Sequence, residues 1–124
     1  MSQVQIQKDE ERENRIDLEV VVDAYDSQER AIGWFYYLAE QCTFPFTAKC
    51  IAERSTSPLR VDEVVEVLSE APAEECAKEL FVEIQWNERQ LAVPLSQLVA
   101  VDADEKSKQI VEDWQYWVQR GYEF

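Results

Sequence analysis

An acid-led aromatic segment, DSQERAIGWFYYLAEQ at residues 26–41, constrains the fold of this 124-residue chain most strongly. Asp26 stands at an N-cap position with Glu29 three residues later, which is the arrangement of a capping box. The spacing predicts a helix over residues 27–41, and Pro45 prevents its continuation. One stripe of this helix is large and apolar, so it must pack on a core; it comprises Ala31, Trp34, Phe35 and Leu38, with Tyr37 beside them.

A second helix is predicted near the C-terminus, within DEKSKQIVEDWQYWVQRGYEF at residues 104–124. Gly121 follows it as a candidate C-cap residue. Its apolar side chains recur at helical spacing and are Ile110, Val111, Trp114, Trp117 and Val118. Tryptophans on such stripes are typical of core packing, so all four are assigned to the core rather than to a cofactor site: Trp34, Trp86, Trp114 and Trp117.

Between the two helices, short apolar runs alternate with polar residues, which is typical of β-strands. A valine-rich run at residues 17–25 also has strand character, and Pro94 marks a strand end or edge. Four or five short antiparallel strands joined by short turns predict a small barrel. By analogy of fold, the predicted class is α+β: a small antiparallel SH3-like β-barrel with an N-terminal helix and a C-terminal helix.

The chain divides into a predicted tail and one domain. Residues 1–16 are polar, mixed in charge and without periodicity, which predicts a flexible charged tail. Residues 17–124 are assigned to a single α+β domain. Hydrophobic residues make up 46% of the chain, enough to build a core.

Charge is the strongest compositional signal, because 26 acids against 12 bases give a net charge of −14. Such a chain is a poor partner for nucleic-acid phosphates and suits cations, basic proteins or solubility. The chain has no histidine, so His-based catalytic triads and most catalytic zinc sites are excluded. We therefore predict a protein that is not an enzyme.

Cysteine content and hydropathy indicate the cellular compartment of the protein. Three cysteines lie in apolar stretches without CxxC spacing, which predicts buried reduced thiols; they are Cys42, Cys50 and Cys76. No run of 18 apolar residues exists, and the N-terminus lacks the apolar region of a signal peptide. These features predict a cytoplasmic protein that is not inserted in a membrane.

The acids Asp23, Asp26 and Glu29 fall within about one helical turn of each other. Asp26 and Glu29 suit a helix start, where a carboxylate accepts free N–H groups. The same three carboxylates suit a hard cation such as calcium, which takes six to eight oxygen ligands. Capping and metal binding are compatible, and the residues alone leave both open.

A second acidic segment, DADEKSKQIVED at residues 102–113, is not an EF-hand. Lys106 stands at position 5, Ser107 replaces the glycine of the sharp turn, and Asp113 ends the segment in place of glutamate. A different acidic site using Asp102, Asp104 or Glu105 stays open, although a helix N-terminus repels a cation. A third group is predicted to be a solvated turn and comprises Glu70, Glu74, Glu75 and Glu79.

Three segments together resemble the small acidic calcium-binding proteins first recognised in cyanobacteria, which are not EF-hand proteins. The segments are DAYDSQERAIGWFYYLAEQCTFPFTAKC, VEIQWNERQLAVPLSQL and DWQYWVQRGY. The resemblance spans about residues 18–122. It implies calcium binding through acidic side chains and a role in calcium buffering or signalling. The candidate ligands inside the matching motifs are Asp23, Asp26, Glu29 and Asp113.

We therefore predict a Ca2+ buffer or sensor with an acidic carboxylate site at Asp23, Asp26, Glu29 and Asp113. Secondary candidate ligands are Asp102, Asp104 and Glu105. The alternative hypothesis is an acidic SH3-like interaction module that binds a basic protein partner.

Overall fold

The computed structural model describes residues 10–22, 24, 26–55, 57–76 and 79–119. They form three α-helices and one antiparallel sheet, so the α+β class is confirmed. The helices are α1 (Glu10–Arg15), α2 (Ser27–Gln41) and α3 (Glu105–Gln119). Both long helices lie where the sequence predicts them, because each pairs a side-chain N-cap with a sustained apolar stripe.

Five strands form a single sheet in the order β4-β3-β2-β1-β5, with every pairing antiparallel. Among the described residues no ladder joins the edge strands β4 and β5, so the sheet is open rather than closed into a barrel. The strands are β1 (Phe46–Cys50), β2 (Val64–Glu70), β3 (Phe81–Trp86), β4 (Arg89–Pro94) and β5 (Leu98–Asp102).

The inner face of the sheet follows the predicted alternation of apolar residues. Phe46 in β1 opposes Val67 in β2, and Val67 opposes Ile84 in β3. All three side chains are buried. Successive side chains of a strand point to opposite faces, so this row forms one layer of the core beneath the helices.

The predicted strand at residues 17–25 is wrong for residues 17–20, because Ile16–Val20 form a π-helical turn that continues α1; residues 23 and 25 lie outside the described part. Ile16 and Val20 are buried, whereas Leu18 between them is 73% exposed. Burial four residues apart is a helical pattern, and valine content alone is a weak guide to strands. Residues 10–16 of the predicted tail are therefore helical, and residues 1–9 lie outside the described part.

Gly33 allows the π-helical turn to cross α2 at close range. A Cβ atom at this position would lie 2.2 Å from the carbonyl oxygen of Val20. Only glycine leaves room for that approach of backbone to helix. The turn therefore packs directly on α2, and the helix α1 that precedes it lies beside α3.

Three tryptophans join α2 to α3. The ring of Trp34 lies 5.0 Å from that of Trp114 and 5.6 Å from that of Trp117, in edge-on and tilted arrangements. All three are buried, as predicted, and Trp86 packs half-buried at the core margin. On α2 Tyr37 is more deeply buried than Phe35, and Tyr36 faces solvent.

The predicted burial of the three cysteines as free thiols is confirmed.

Candidate metal centre

Asp26 caps the N-terminus of α2. Its backbone is extended, and its Oδ1 accepts a hydrogen bond of 2.8 Å from the backbone N–H of Glu29. Both side chains are exposed. The predicted capping role of Asp26 is confirmed, and Asp23, the third acid of the predicted cluster, lies outside the described residues.

Asp113 is fully buried in α3 and is bound by two arginines of the α1 helix. Oδ1 accepts hydrogen bonds of 2.7 Å from Nη1 of Arg12 and 2.7 Å from Nη2 of Arg15. Oδ2 accepts a further bond of 3.0 Å from Nε of Arg15. The hydrogen bond to Asp113 raises the pKa of Arg15. Two guanidinium groups thus compensate the charge of one buried carboxylate.

Polar side chains of α2 and α3 complete the surroundings of Asp113. The hydroxyl of Tyr37 donates to Oδ2 at 3.3 Å, and Nε2 of Gln109 lies 3.5 Å from the same oxygen. Lys106 donates to the Tyr37 hydroxyl at 3.4 Å. Burial raises the pKa of Tyr37, and the charge of Asp113 adds to this, so the phenol stays a donor at neutral pH.

The secondary candidates lie at the junction of β5 and α3. Oδ1 of Asp104 accepts a hydrogen bond of 2.7 Å from the backbone N–H of Ser107, which makes it the cap of α3. Hydrogen bonds from Ser107 lower the pKa of Asp104. Asp102 ends β5, Glu105 begins α3, and both are exposed. The carboxylate of Asp104 is thus occupied at a positive helix end.

No group of three Cys, Asp or Glu side chains in the described part of the chain is arranged to hold a metal ion. The described helices also include none of the length and apolar character needed to cross a bilayer. The candidate acids therefore occupy separate places: the start of α2, the buried core beside α1, and the start of α3.

Comparison with known proteins shows which family the chain belongs to. A family model described as calcium binding, and named for CcbP, matches residues 14–118. The chain belongs to this calcium-binding family. No protein with a curated description matches it.

Two solved structures are similar to this member of the CcbP family over nearly its whole length. The crystal structure of Anabaena CcbP shares 38% sequence identity, with a TM-score of 0.85, and the match covers 98% of this chain and 100% of that one. A calcium-binding protein in its calcium-binding form shares 39% identity, with a TM-score of 0.83, and the match covers 94% and 96% of the two chains.

The carboxylates at the start of α2 are ligands of the kind that calcium binds, but the described residues there supply too few oxygen atoms for a full calcium shell. Carboxylate oxygens are the ligands that calcium prefers. Asp26 and Glu29 supply two carboxylates, and one oxygen of Asp26 already accepts an N–H. Asp23, backbone carbonyls and water would have to complete a shell of six to eight oxygens.

The sequence did not reveal the neighbours of two predicted ligands, Asp113 and Glu29. Arg12 and Arg15 fall in the predicted tail, yet both form ion pairs with Asp113. The apolar residue Ile16, which is buried and anchors this helix to the core, was the one indication that the segment is folded. Glu19 and Glu40 were also missed. They line a groove with Glu29, although 21 positions separate them along the chain.

Proposed function

We propose that the chain is a Ca2+ buffer or sensor whose ion binds at the start of α2, on Asp26 and Glu29, with Asp23 as a third carboxylate. The observation that carries the proposal is the pair of exposed carboxylates within one turn, in a member of a calcium-binding family. An ion can reach an exposed carboxylate directly from water, whereas a buried one is already committed to protein donors.

We further propose that Asp113 anchors α1 and is not a ligand. An ion at Asp113 would have to displace Arg12 and Arg15, which bond to both carboxylate oxygens. It would also need a path to a side chain with no exposed surface. These contacts disfavour the prediction that Asp113 binds calcium.

The proposed site is not an EF-hand. An EF-hand loop wraps its ligands around the ion over 12 residues. Here α3 begins at Glu105, so most of residues 102–113 are helical, and their side chains radiate from the helix axis instead of converging on one ion. Asp102, Asp104 and Glu105 stay secondary candidates, and the positive end of the helix opposes a cation there as it does at the start of α2.

Isothermal titration with calcium tests this site. We expect saturable binding with a Kd of about 10⁻⁷ to 10⁻⁴ M, the range of protein sensors and weaker sites. The double variant Asp26→Asn with Glu29→Gln should weaken binding at least about tenfold. Asparagine caps a helix as well as aspartate does, so this variant removes charge while the helix start is kept. Calcium should also raise the melting temperature, because it binds the folded state.

Matched controls are Glu66→Gln and Glu88→Gln, which neutralise exposed acids elsewhere. We expect them to bind calcium as the parent chain does. Equal weakening by the controls, or full binding by the double variant, contradicts the proposed position. Loss of calcium binding in a folded Asp113→Asn variant would restore Asp113 as a ligand.

A second candidate function is binding of a basic protein partner, favoured by the net charge of −14. The strand order β4-β3-β2-β1-β5, with a 3₁₀ turn at Leu95–Gln97 between the edge strands, supports the SH3-like description of the sheet. In either role the chain binds rather than catalyses, and a cytoplasmic location stays a prediction.

A further inference from the structure

The exposed face of α2 carries two grooves on either side of one apolar ridge. Ile32 and Tyr36 form the ridge and are 50% and 55% exposed. On one side lies an acidic groove of about 420 Å³, lined by Glu19, Glu29 and Glu40. On the other side lies an apolar groove of about 430 Å³, lined by Phe35 among other side chains. Half-exposed large apolar side chains beside charged rims are typical of interaction surfaces.

The acidic groove has one sign of charge. Its described lining residues include three glutamates and no lysine or arginine. Lys106 reaches Glu19 at 3.4 Å, whereas no basic residue stands beside Glu40 in the last turn of α2. A cleft lined by charges of one sign concentrates the field and attracts the opposite charge.

Glu40 is placed where it opposes helix stability. It lies in the last turn of α2, which has no basic residue. The helix dipole makes that end negative, so a carboxylate there is unfavourable. Its side chain is exposed and lines the acidic groove. A residue that costs stability without serving the core is typical of a binding surface.

We propose that this face of α2 binds a short segment of a partner protein in which lysine or arginine flanks a large apolar side chain. The basic groups enter the acidic groove near Glu40, and the apolar side chain crosses the ridge into the apolar groove beside Phe35. This inference rests on the second proposed function, binding of a basic partner, and its test uses Glu40, which is not a proposed calcium ligand.

A labelled peptide, Lys-Lys-Leu-Leu-Lys-Lys, tests the proposal by fluorescence anisotropy in the presence of a calcium chelator. We expect saturable binding that Glu40→Lys weakens about tenfold, or about 1.4 kcal/mol. Glu40→Lys places a cation at the negative end of α2, so it should fold at least as well as the parent chain. Tyr36→Ser should weaken binding to a similar extent, with folding verified by circular dichroism.

Two controls separate the site from general attraction. Glu66→Lys and Glu88→Lys change the net charge equally at other exposed positions, and we expect peptide affinity within about twofold of the parent. The peptide Lys-Lys-Ser-Ser-Lys-Lys should bind at least about tenfold more weakly. No saturable binding, equal weakening by the control variants, or equal binding of the serine peptide overturns the proposal. Asp26→Asn should leave peptide affinity unchanged, so failure here and failure of the calcium site are distinguishable.

Discussion

Arg15 donates two hydrogen bonds to Asp113, from Nε to Oδ2 at 3.0 Å and from Nη2 to Oδ1 at 2.7 Å, although the two residues are 98 positions apart in the chain. The arrangement is bidentate, which adds geometric specificity to charge attraction. It ties α1 to the middle of α3, and Tyr37 ties α2 to the same carboxylate. One buried acid therefore joins all three helices.

Asp113→Asn should lower the free energy of unfolding by about 3 kcal/mol, because it leaves two arginines without their carboxylate. The loss is at the low end for a buried pair, since the arginine side chains are 22% and 26% exposed and reach water. Urea unfolding measures it. The neighbouring Glu112→Gln, at a position 66% exposed, should change stability by no more than about 0.5 kcal/mol. Similar losses in both variants would contradict a special role for Asp113.

The variant Gly33→Ala separates packing from helix propensity, because the two effects predict opposite changes in the free energy of unfolding. Alanine stabilises an exposed helix position by up to about 1 kcal/mol. Here its Cβ would meet the Val20 carbonyl at 2.2 Å, so we expect a loss of about 1–3 kcal/mol. Thermal unfolding of the variant and of Gln28→Ala, an exposed change on the same helix, measures both. A more stable Gly33→Ala variant would show that the π-helical turn is not packed on α2.

Asp104 should make the stability of the fold sensitive to acid. Hydrogen bonds from Ser107 hold its pKa below the ordinary value of 3.8. The stabilisation is therefore complete above pH 3.8 and is lost as pH falls through the lower pKa of the folded state. Asp104→Asn keeps a cap but cannot titrate. The difference in unfolding free energy between parent and variant should shrink as pH falls below about 3.8, and a constant difference would contradict this.

Cys42 should resist alkylation in the folded protein. Burial raises its pKa from 9.0 to about 11. At pH 9 about 1% of the folded-state thiol is ionised, against about half in the unfolded chain. Iodoacetamide labelling, followed by mass spectrometry, should therefore be at least about tenfold slower without urea. The same shift stabilises the fold below pH 9, and this contribution is lost as pH rises through 11. Equal labelling rates with and without urea would exclude a buried thiol.

The sequence by itself determined the elements that carry their own local signals. The bounds of α2, the cap at Asp26 and the inward faces of the strands follow from capping chemistry and hydrophobic period. Family membership also followed from residue motifs. The helix at residues 10–20 was missed, because its one clear signal is the pair Ile16 and Val20 four residues apart.

Only the tertiary structure showed which groups surround Asp113 and which glutamates lie together. Asp113 looks like any other acid of an amphipathic helix until Arg12 and Arg15 approach it from the other end of the chain. Glu19, Glu29 and Glu40 become one groove only when the π-helical turn packs on α2 at Gly33. Charge pairing and burial depend on distances between segments far apart in sequence. Local patterns do not encode those distances, so the contacts of these carboxylates could not be predicted from the sequence.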